Sequence, residues 1–484
     1  MRTEIFDIRQ RAVNVVVIFF LSCQISCKKL VEISPPVNSI TTSQVFLDSS
    51  DVASAILGIY SNIEYLTAGS VNFCNGAQTI YCGLTSDELV PYNVSGDEFY
   101  LNKLTSISGG ISGYFWNPAY TYIYHINACI EGLEHTSSVP ATVKNHYMGE
   151  AKFLRALLYF YMVNLFGDIP YITSTDWAVT SLMGRTPKSE VYQKIISDLR
   201  DAQEYLPSDY SFSGGLKTRA NKWAATALLA RVYLYMEDWA SATAEASTII
   251  DNSGLFMLSS DLNNVFSCNS EEAILQWQMD TNYPSYSATA EGYAILPPFD
   301  NIPPLYFISD RLLNSFEPND QRKVSWLDSV NVNGVAYFAP YKYKIGSWEA
   351  IPGGTPMEYY TVLRLAEQYL IRAEARANGA PGGLAAAIQD LNIVRNRAKL
   401  LGYTGPIDKA AVLNSIYHER QIELFVEWGH RWLDLKRTGR VDSVMSVVTP
   451  QKIGGSKWDR NQQLYPIPQT ERDVNPNLTQ NDGY

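Results

Sequence analysis

Few of the groups used in catalysis or metal binding occur along these 484 residues. There are five histidines, His125, His135, His146, His418 and His430, and none has triad or ligand spacing. The six cysteines, Cys23, Cys27, Cys74, Cys82, Cys129 and Cys268, include no CxxC pair, so no zinc site is expected. GxSxG, HExxH and P-loop patterns are absent, and no GxGxxG follows a strand, which removes the familiar hydrolase, metalloprotease and nucleotide signatures. No cofactor or metal is therefore expected, although loop carboxylates leave a structural calcium open. Basic clusters are also missing. Lys and Arg number 38 against 49 Asp and Glu, a net charge of −11. That balance argues against nucleic acid and against electrostatic docking on anionic lipid.

Aromatic residues are abundant: 32 Tyr, 18 Phe and 10 Trp. Most large apolar groups fill cores, but Tyr and Trp also suit wet binding surfaces, because each has an apolar face and a polar tip. With 46% hydrophobic and 18% charged residues, a sizeable globular core is available.

Residues 1–26 have the pattern of a signal peptide. Arg9 and Arg11 precede the apolar run AVNVVVIFFL, which is too short to span a bilayer comfortably. LSCQISCKK follows, with small residues before a cysteine. Cys27 is the expected lipidation site, because Lys28 and Lys29 follow it. A lipid there would anchor the chain without a transmembrane helix. Residues 27–43, rich in Pro, Ser and Thr, form an expected tether. Residues 44–484 are then a single ligand-binding domain. In an oxidising compartment Cys74 and Cys82 can pair, if their geometry allows.

The body is mainly α. In GEAKFLRALLYFYMVNLFGDIPY, Ala151, Leu154, Leu158, Met162 and Leu165 share one helical face, and Gly167 and Pro170 end it. Thr186 is the expected cap of the next helix, with Pro187 at its first position. Val191, Ile195, Leu199, Ala202 and Leu206 form its stripe. Residues 219–251 predict a helical hairpin with a break at Glu237 and Asp238. Its Ala224, Ala227 and Ala230 match the small-residue packing of tetratricopeptide pairs. A second pair is expected from Val362 to about residue 398. A last helical block spans about 407–437, where Glu427 and Arg431, four apart, predict an ion pair. The charges of HERQIELFVEWGHRWLDLKR are expected to belong to a network of paired charges that supports the fold, since buried charges need partners. LQWQMD alternates as a strand does, placing Trp277 in the core.

Two stretches differ. Residues 280–356 and about 70–116 are dominated by Pro, Gly, Asn, Ser and aromatics. They predict long irregular loops, and long loops in compact proteins carry function.

The motifs, in order, resemble the SusD/RagB family of outer-membrane nutrient-binding lipoproteins. SCKKLVEISPP resembles its lipidated start. GEAKFLRALLYFYMVNLFGDIPY, VLRLAEQYLIRAEA, LNIVRNRA, ERQIELFVEWGHRWLDLKRTG and LYPIPQTERDVNPNLTQNDGY resemble its later signatures. The resemblance implies a SusD-like fold, with tetratricopeptide-like helix pairs as scaffold and long aromatic-rich loops. It also implies a place on the cell surface, lipid-anchored in the outer membrane, with a SusC-like TonB-dependent transporter as partner. The implied cargo is a glycan. A peptide cargo, as in RagB-type members, or a transporter-associated scaffold with little ligand binding, are the alternatives. No catalysis is implied.

Sugars present flat apolar faces edged by hydroxyls, so capture needs aromatic platforms beside hydrogen-bonding groups. The loops offer Tyr81, Tyr92, Asn93, Asp97 and Tyr100 in one stretch, and Tyr283, Tyr286, Trp326 and Trp348 in the other. These nine are the candidate ligand-binding residues, with no catalytic and no metal residue among them.

Overall fold

A computed structural model describes residues 46–64, 71–279, 287–299, 301–349 and 355–484. The signal peptide, Cys27, the tether, Tyr283 and Tyr286 lie outside the described residues. Residues Phe46–Tyr484 form one compact unit.

The longer helices are α1 (Ser49–Glu64), α2 (Ala77–Thr85), α3 (Asn117–His135), α4 (Ala141–Phe166), α5 (Lys188–Tyr205), α6 (Lys222–Tyr235), α7 (Trp239–Ile250), α8 (Leu365–Ala377), α9 (Gly383–Arg397), α10 (Lys409–Glu423), α11 (His430–Arg437) and α12 (Val441–Gln451). Helices α3 to α10 stack as successive neighbours, each against the next in sequence. Among the described residues the strands form three two-stranded antiparallel sheets. These are β1 (Leu89–Pro91) with β3 (Tyr306–Ile308), β2 (Ala273–Trp277) with β6 (Tyr360–Arg364), and β4 (Leu327–Val332) with β5 (Val335–Pro340).

Helix α4 packs between α3 and α5, and every residue from His146 to Phe166 except Lys152 is buried. A helix that is apolar on all sides must be enclosed by neighbours. Gly167 at φ 75° ends it. Helix α5 buries Val191, Ile195, Leu199 and Ala202 as its stripe predicts, and Leu206 follows, also buried. Pro187, not Thr186, takes the cap position. Asn221 caps α6 by accepting from the Trp223 and Ala224 amides, both at 3.1 Å. Glu237, at φ 59°, makes the turn, and Asp238 caps α7 through the Ser241 amide. Ala224, Ala227 and Ala230 are fully buried, so the small side chains permit the close helix approach expected of a tetratricopeptide pair. In the second pair, residues 362–364 belong to β6 rather than to a helix, and α8 begins only at Leu365. The 70–116 stretch is less irregular than its composition implies, since all nine residues of α2 are buried. Cys74 and Cys82 are buried, unpaired thiols. Burial pushes the Cys82 thiol up to about 12.

The 407–437 block is two helices. Between them Val426 (φ 49°), Trp428 (φ 48°) and Gly429 (φ 69°) take left-handed conformations, which a β-branched residue adopts only under tertiary constraint. Trp428 supplies that constraint: its Nε1 donates to the Thr361 carbonyl at 2.8 Å and its ring lies 5.3 Å from Tyr360. The break cancels the i, i+4 geometry. Glu427 pairs with Arg364 at 2.8 Å and with Lys342, while Arg431 pairs with Asp87 at 2.7 Å.

The expected charge network is extensive and buried. Arg364 holds Glu272 (2.8 Å), Glu423 (2.6 Å) and Glu427. Arg322 holds Asp320 (2.8 Å), Glu419 (2.6 Å) and Glu423 (2.9 Å). Arg397 bridges Glu272 and Glu423. Burial alone would raise the Glu423 carboxyl, but the charges of Arg397, Arg364 and Arg322 bring it well below the usual carboxylate range.

Removing one partner strands the others in a low dielectric. Glu423→Gln should therefore cost about 3–5 kcal/mol, read from the urea midpoint, with little change in slope. A loss below about 1 kcal/mol would show that the network is not needed for stability.

Glu88 has the opposite sign. Burial, then the charge of Asp87, pushes its carboxyl up to about 8, against about 4.3 in an unfolded chain. Between those values the folded protein holds a proton that the unfolded chain has lost. Stability from this group is therefore intact below the lower value and declines as pH rises towards the higher one. Glu88→Gln should flatten the stability profile between pH 5 and 8, measured by chemical denaturation across that range. An unchanged slope would remove Glu88 as its source.

Candidate ligand-binding surface

Strand pairing joins the two aromatic stretches. Leu89 pairs with Ile308 and Pro91 with Tyr306, and the Tyr92 amide donates to the Leu305 carbonyl at 2.9 Å. Strand β3 in turn packs on β5. The result is an aromatic cluster built from three distant segments. The Tyr92 ring meets Tyr337 edge-on at 5.5 Å, and Tyr337 meets Phe307 at 5.0 Å. Tyr92 is 45% exposed. Asn93 beside it is exposed and accepts from the Ser95 amide at 3.2 Å, which fixes the turn.

Asp97 is half-buried and accepts from the Tyr100 amide at 2.8 Å. Burial raises its carboxyl above the ordinary range. Burial also raises the Tyr306 hydroxyl to about 12, with the charge of Asp97 and then Tyr114 adding to the shift. Tyr306, which feels both groups, belongs to the strand that pairs with Pro91 just before Tyr92.

A second exposed pair lies on the other loop. Trp348 is 66% exposed and Phe299 46%, with ring centres 4.3 Å apart. Their apolar faces present stacking surface to solvent.

Of the remaining nominated aromatics, the three among the described residues, Trp326, Tyr81 and Tyr100, are buried. Trp326 is fully buried and its Nε1 donates to the Leu262 carbonyl at 2.9 Å. Lys342 lies over its ring at 4.7 Å, so Trp326 belongs to the charge network, and its assignment as a ligand platform is corrected. Tyr81 is buried against Tyr114, at 4.4 Å, and Phe99, at 4.6 Å. Tyr100 is buried too, and its hydroxyl accepts from the Ile453 amide at 3.2 Å. Trp277 is a fully buried strand residue, as expected. Sequence reading missed Phe299, Phe307 and Tyr337. Phe299 stands in a proline-rich loop, PPFDNIPP, which was the available signal.

Two concavities lie elsewhere. One, of about 850 Å³, is lined by Trp116, Tyr120, Tyr124, Trp177 and Val474 among others. The other, of about 710 Å³, is lined mostly by polar and charged groups, including Arg185, Lys188 and Lys436. Neither includes a nominated residue. Among the described residues no cluster of three or more His, Cys, Asp or Glu is placed to hold a metal ion.

Comparison with known proteins gives these features a context. A SusD-like family model, described as starch-binding and associating with the outer membrane, matches residues 45–234. A SusD family model matches residues 328–484. SusD-like protein P2 of Formosa agariphila is 28% identical, over 96% of this chain and 98% of that protein. The crystal structure of a SusD superfamily protein from Parabacteroides distasonis superposes with a TM-score of 0.75 at 24% identity, covering 92% of this chain and all of the other. A laminarin-binding SusD-like protein superposes with a TM-score of 0.72 at 22% identity, covering 90% and 99%. Two family models at opposite ends of the chain, a relative matched almost from end to end and a shared helical fold lead to one assignment: the chain belongs to the SusD/RagB family.

Proposed function

We propose that this protein is a cell-surface lipoprotein that captures an oligo- or polysaccharide and delivers it to a SusC-like TonB-dependent transporter. In this reading residues 1–26 are removed, Cys27 carries the lipid in the outer membrane, residues 27–43 are the tether and 44–484 the single ligand-binding domain. The observation that carries the glycan reading is a pair of aromatic platforms, exposed Tyr92 against half-buried Tyr337, and exposed Trp348 with exposed Phe299. Exposed Asn93 follows Tyr92 directly and half-buried Asp97 lies five residues on, the hydrogen-bonding groups a sugar face requires. The names of relatives agree with it, since one structural neighbour is a laminarin-binding protein and another a surface glycan-binding protein A from Bacteroides fluxus.

Binding without catalysis is supported by where the carboxylates go. A glycosidase needs two carboxyls flanking the substrate. The densest acidic group here, Glu419, Glu423 and Glu427, is buried and held by Arg322, Arg364 and Lys342.

The test is calorimetric titration of the chain starting at Lys28 against a panel of oligosaccharides, polysaccharides and peptides, with product analysis. Saturable binding to a glycan without new reducing ends is expected. Tyr92→Ala and Trp348→Ala should each weaken it by about tenfold, ~1.4 kcal/mol, at unchanged melting temperature. Trp326→Ala should instead lower stability by about 3–5 kcal/mol. Binding to peptides alone, or new reducing ends, would overturn the proposal, and so would glycan binding that both surface variants leave intact.

A further inference from the structure

The second concavity, of about 710 Å³, has an unusual charge arrangement for a protein of net charge −11. It is formed where the end of α4, the start of α5, the end of α11 and the last residues of the chain meet. Arg185 directs its guanidinium at neutral oxygens: the Asp168 carbonyl at 2.7 Å, the Phe166 and Thr479 carbonyls, and the Asn481 side chain. Lys436 donates to the Asn164 carbonyl. Lys188 stands exposed at the start of α5, its ammonium 5.7 Å from the centre of the Tyr192 ring. Among the described residues none of these three cations is in an ion pair. The other charges lining the basin are Arg437, held by Glu374 and Asp434, Arg460, 3.7 Å from Asp442, and the carboxylates Asp168, which accepts from the Lys188 amide at 2.8 Å, and Asp482.

Buried charges need partners: the buried arginines of this fold pair with carboxylates, as Arg231 and Arg322 do, whereas buried Lys217 and Lys452 donate to carbonyl oxygens. Arg185 and Lys436 are half-buried and Lys188 is exposed, and none of the three forms an ion pair with Asp168 or Asp482, the two carboxylates of the lining. A second observation agrees. The Tyr235 hydroxyl, also on the basin wall, is buried with no hydrogen-bond partner. Buried hydroxyls are normally satisfied by protein, water or ligand. The electrostatic consequence is visible at Lys436, where burial and then the charge of Lys188 push the ammonium down to about 7.

We propose that this basin is an oxyanion site, in which Arg185, Lys188 and Lys436 bind a sulfate, phosphate or carboxylate group and Tyr235 donates a hydrogen bond to it. The rest of the lining fits a group larger than a bare ion. Asn461 adds a side-chain amide to the lining, which can pair with a hydroxyl of a sugar that bears the anion. The site is independent of the aromatic surface.

The experiment is calorimetric titration of the chain from Lys28 with sodium sulfate, against sodium chloride at matched ionic strength. Saturable heat with sulfate and none with chloride is expected. Arg185→Gln and Lys188→Gln should each weaken sulfate binding by about tenfold. Lys188 is exposed, so its variant should fold normally, as a thermal melt would check. Tyr92→Ala and Trp348→Ala should leave sulfate binding unchanged, which separates this site from the glycan surface. Glucuronate and glucose 6-sulfate distinguish the source: tighter binding than acetate or inorganic sulfate identifies a sugar-borne anion, and equal binding identifies the free ion. Sulfate heat that matches chloride, or binding that survives both glutamine substitutions, would overturn the proposal.

Discussion

The buried ion network centred on Glu423 and Arg364 is the constraint from which much of the structure follows. Taking one such charge out of water costs several kcal/mol, so each must meet partners in good geometry. Arginine suits this task because its planar fork can satisfy two or three carboxylates at fixed angles. Arg364 sits at the junction of β6 and α8, Glu272 just before β2, Glu423 at the end of α10 and Arg397 at the end of α9. Apolar contacts tolerate sliding; this set of ion pairs does not. It fixes the register between the helix stack and the strand segments that interrupt it.

The network also reaches the candidate ligand surface. Glu427 can face Arg364 only because the chain leaves the helix after Glu423, and that exit turns Arg431 towards Asp87. Asp87 is held by Arg311 as well, and the Glu88 carbonyl accepts from the Ser309 amide. These contacts bring residues 87–92 against 305–311, and the β1–β3 pairing follows from them. Tyr92 is the first exposed residue beyond that pairing. The position of an exposed aromatic is therefore set by charges buried behind it, which is how a mobile-looking loop obtains a fixed platform.

What was legible in the sequence divides along physical lines. The helices α4 to α9 follow from local spacing: the stripe of α5, the alanines of α6 and the turn at Glu237. Local rules also predicted that the charges of residues 418–436 would pair. They failed on which pairs form, because an i, i+4 rule assumes an unbroken helix, and the left-handed residues Val426 and Trp428 are set by contacts with Thr361 and Tyr360 far away in sequence. Aromatic density located the two loop regions but not the exposure of each ring. Tyr81 and Trp326 look like Tyr92 and Trp348 in composition. They differ in whether a distant partner covers them: Tyr114 and Phe99 for one, Leu262 and Lys342 for the other.

This separation has a functional corollary. Trp348 and Tyr92 contribute little burial, so their replacement leaves the network and the helix stack intact. Arg364, Glu423 and Trp326 have no such freedom, since any change strands a charge or opens a cavity. A binding protein built this way can alter its ligand through a few exposed side chains while the interior stays fixed. The polar basin at the far ends of α4 and α11 obeys the same logic with the opposite sign. There the scaffold leaves Arg185, Lys188 and Lys436 outside any ion pair, although Asp168 and Asp482 share the lining, in a fold that elsewhere pairs its buried arginines, and the proposed counter-charge comes from outside the chain.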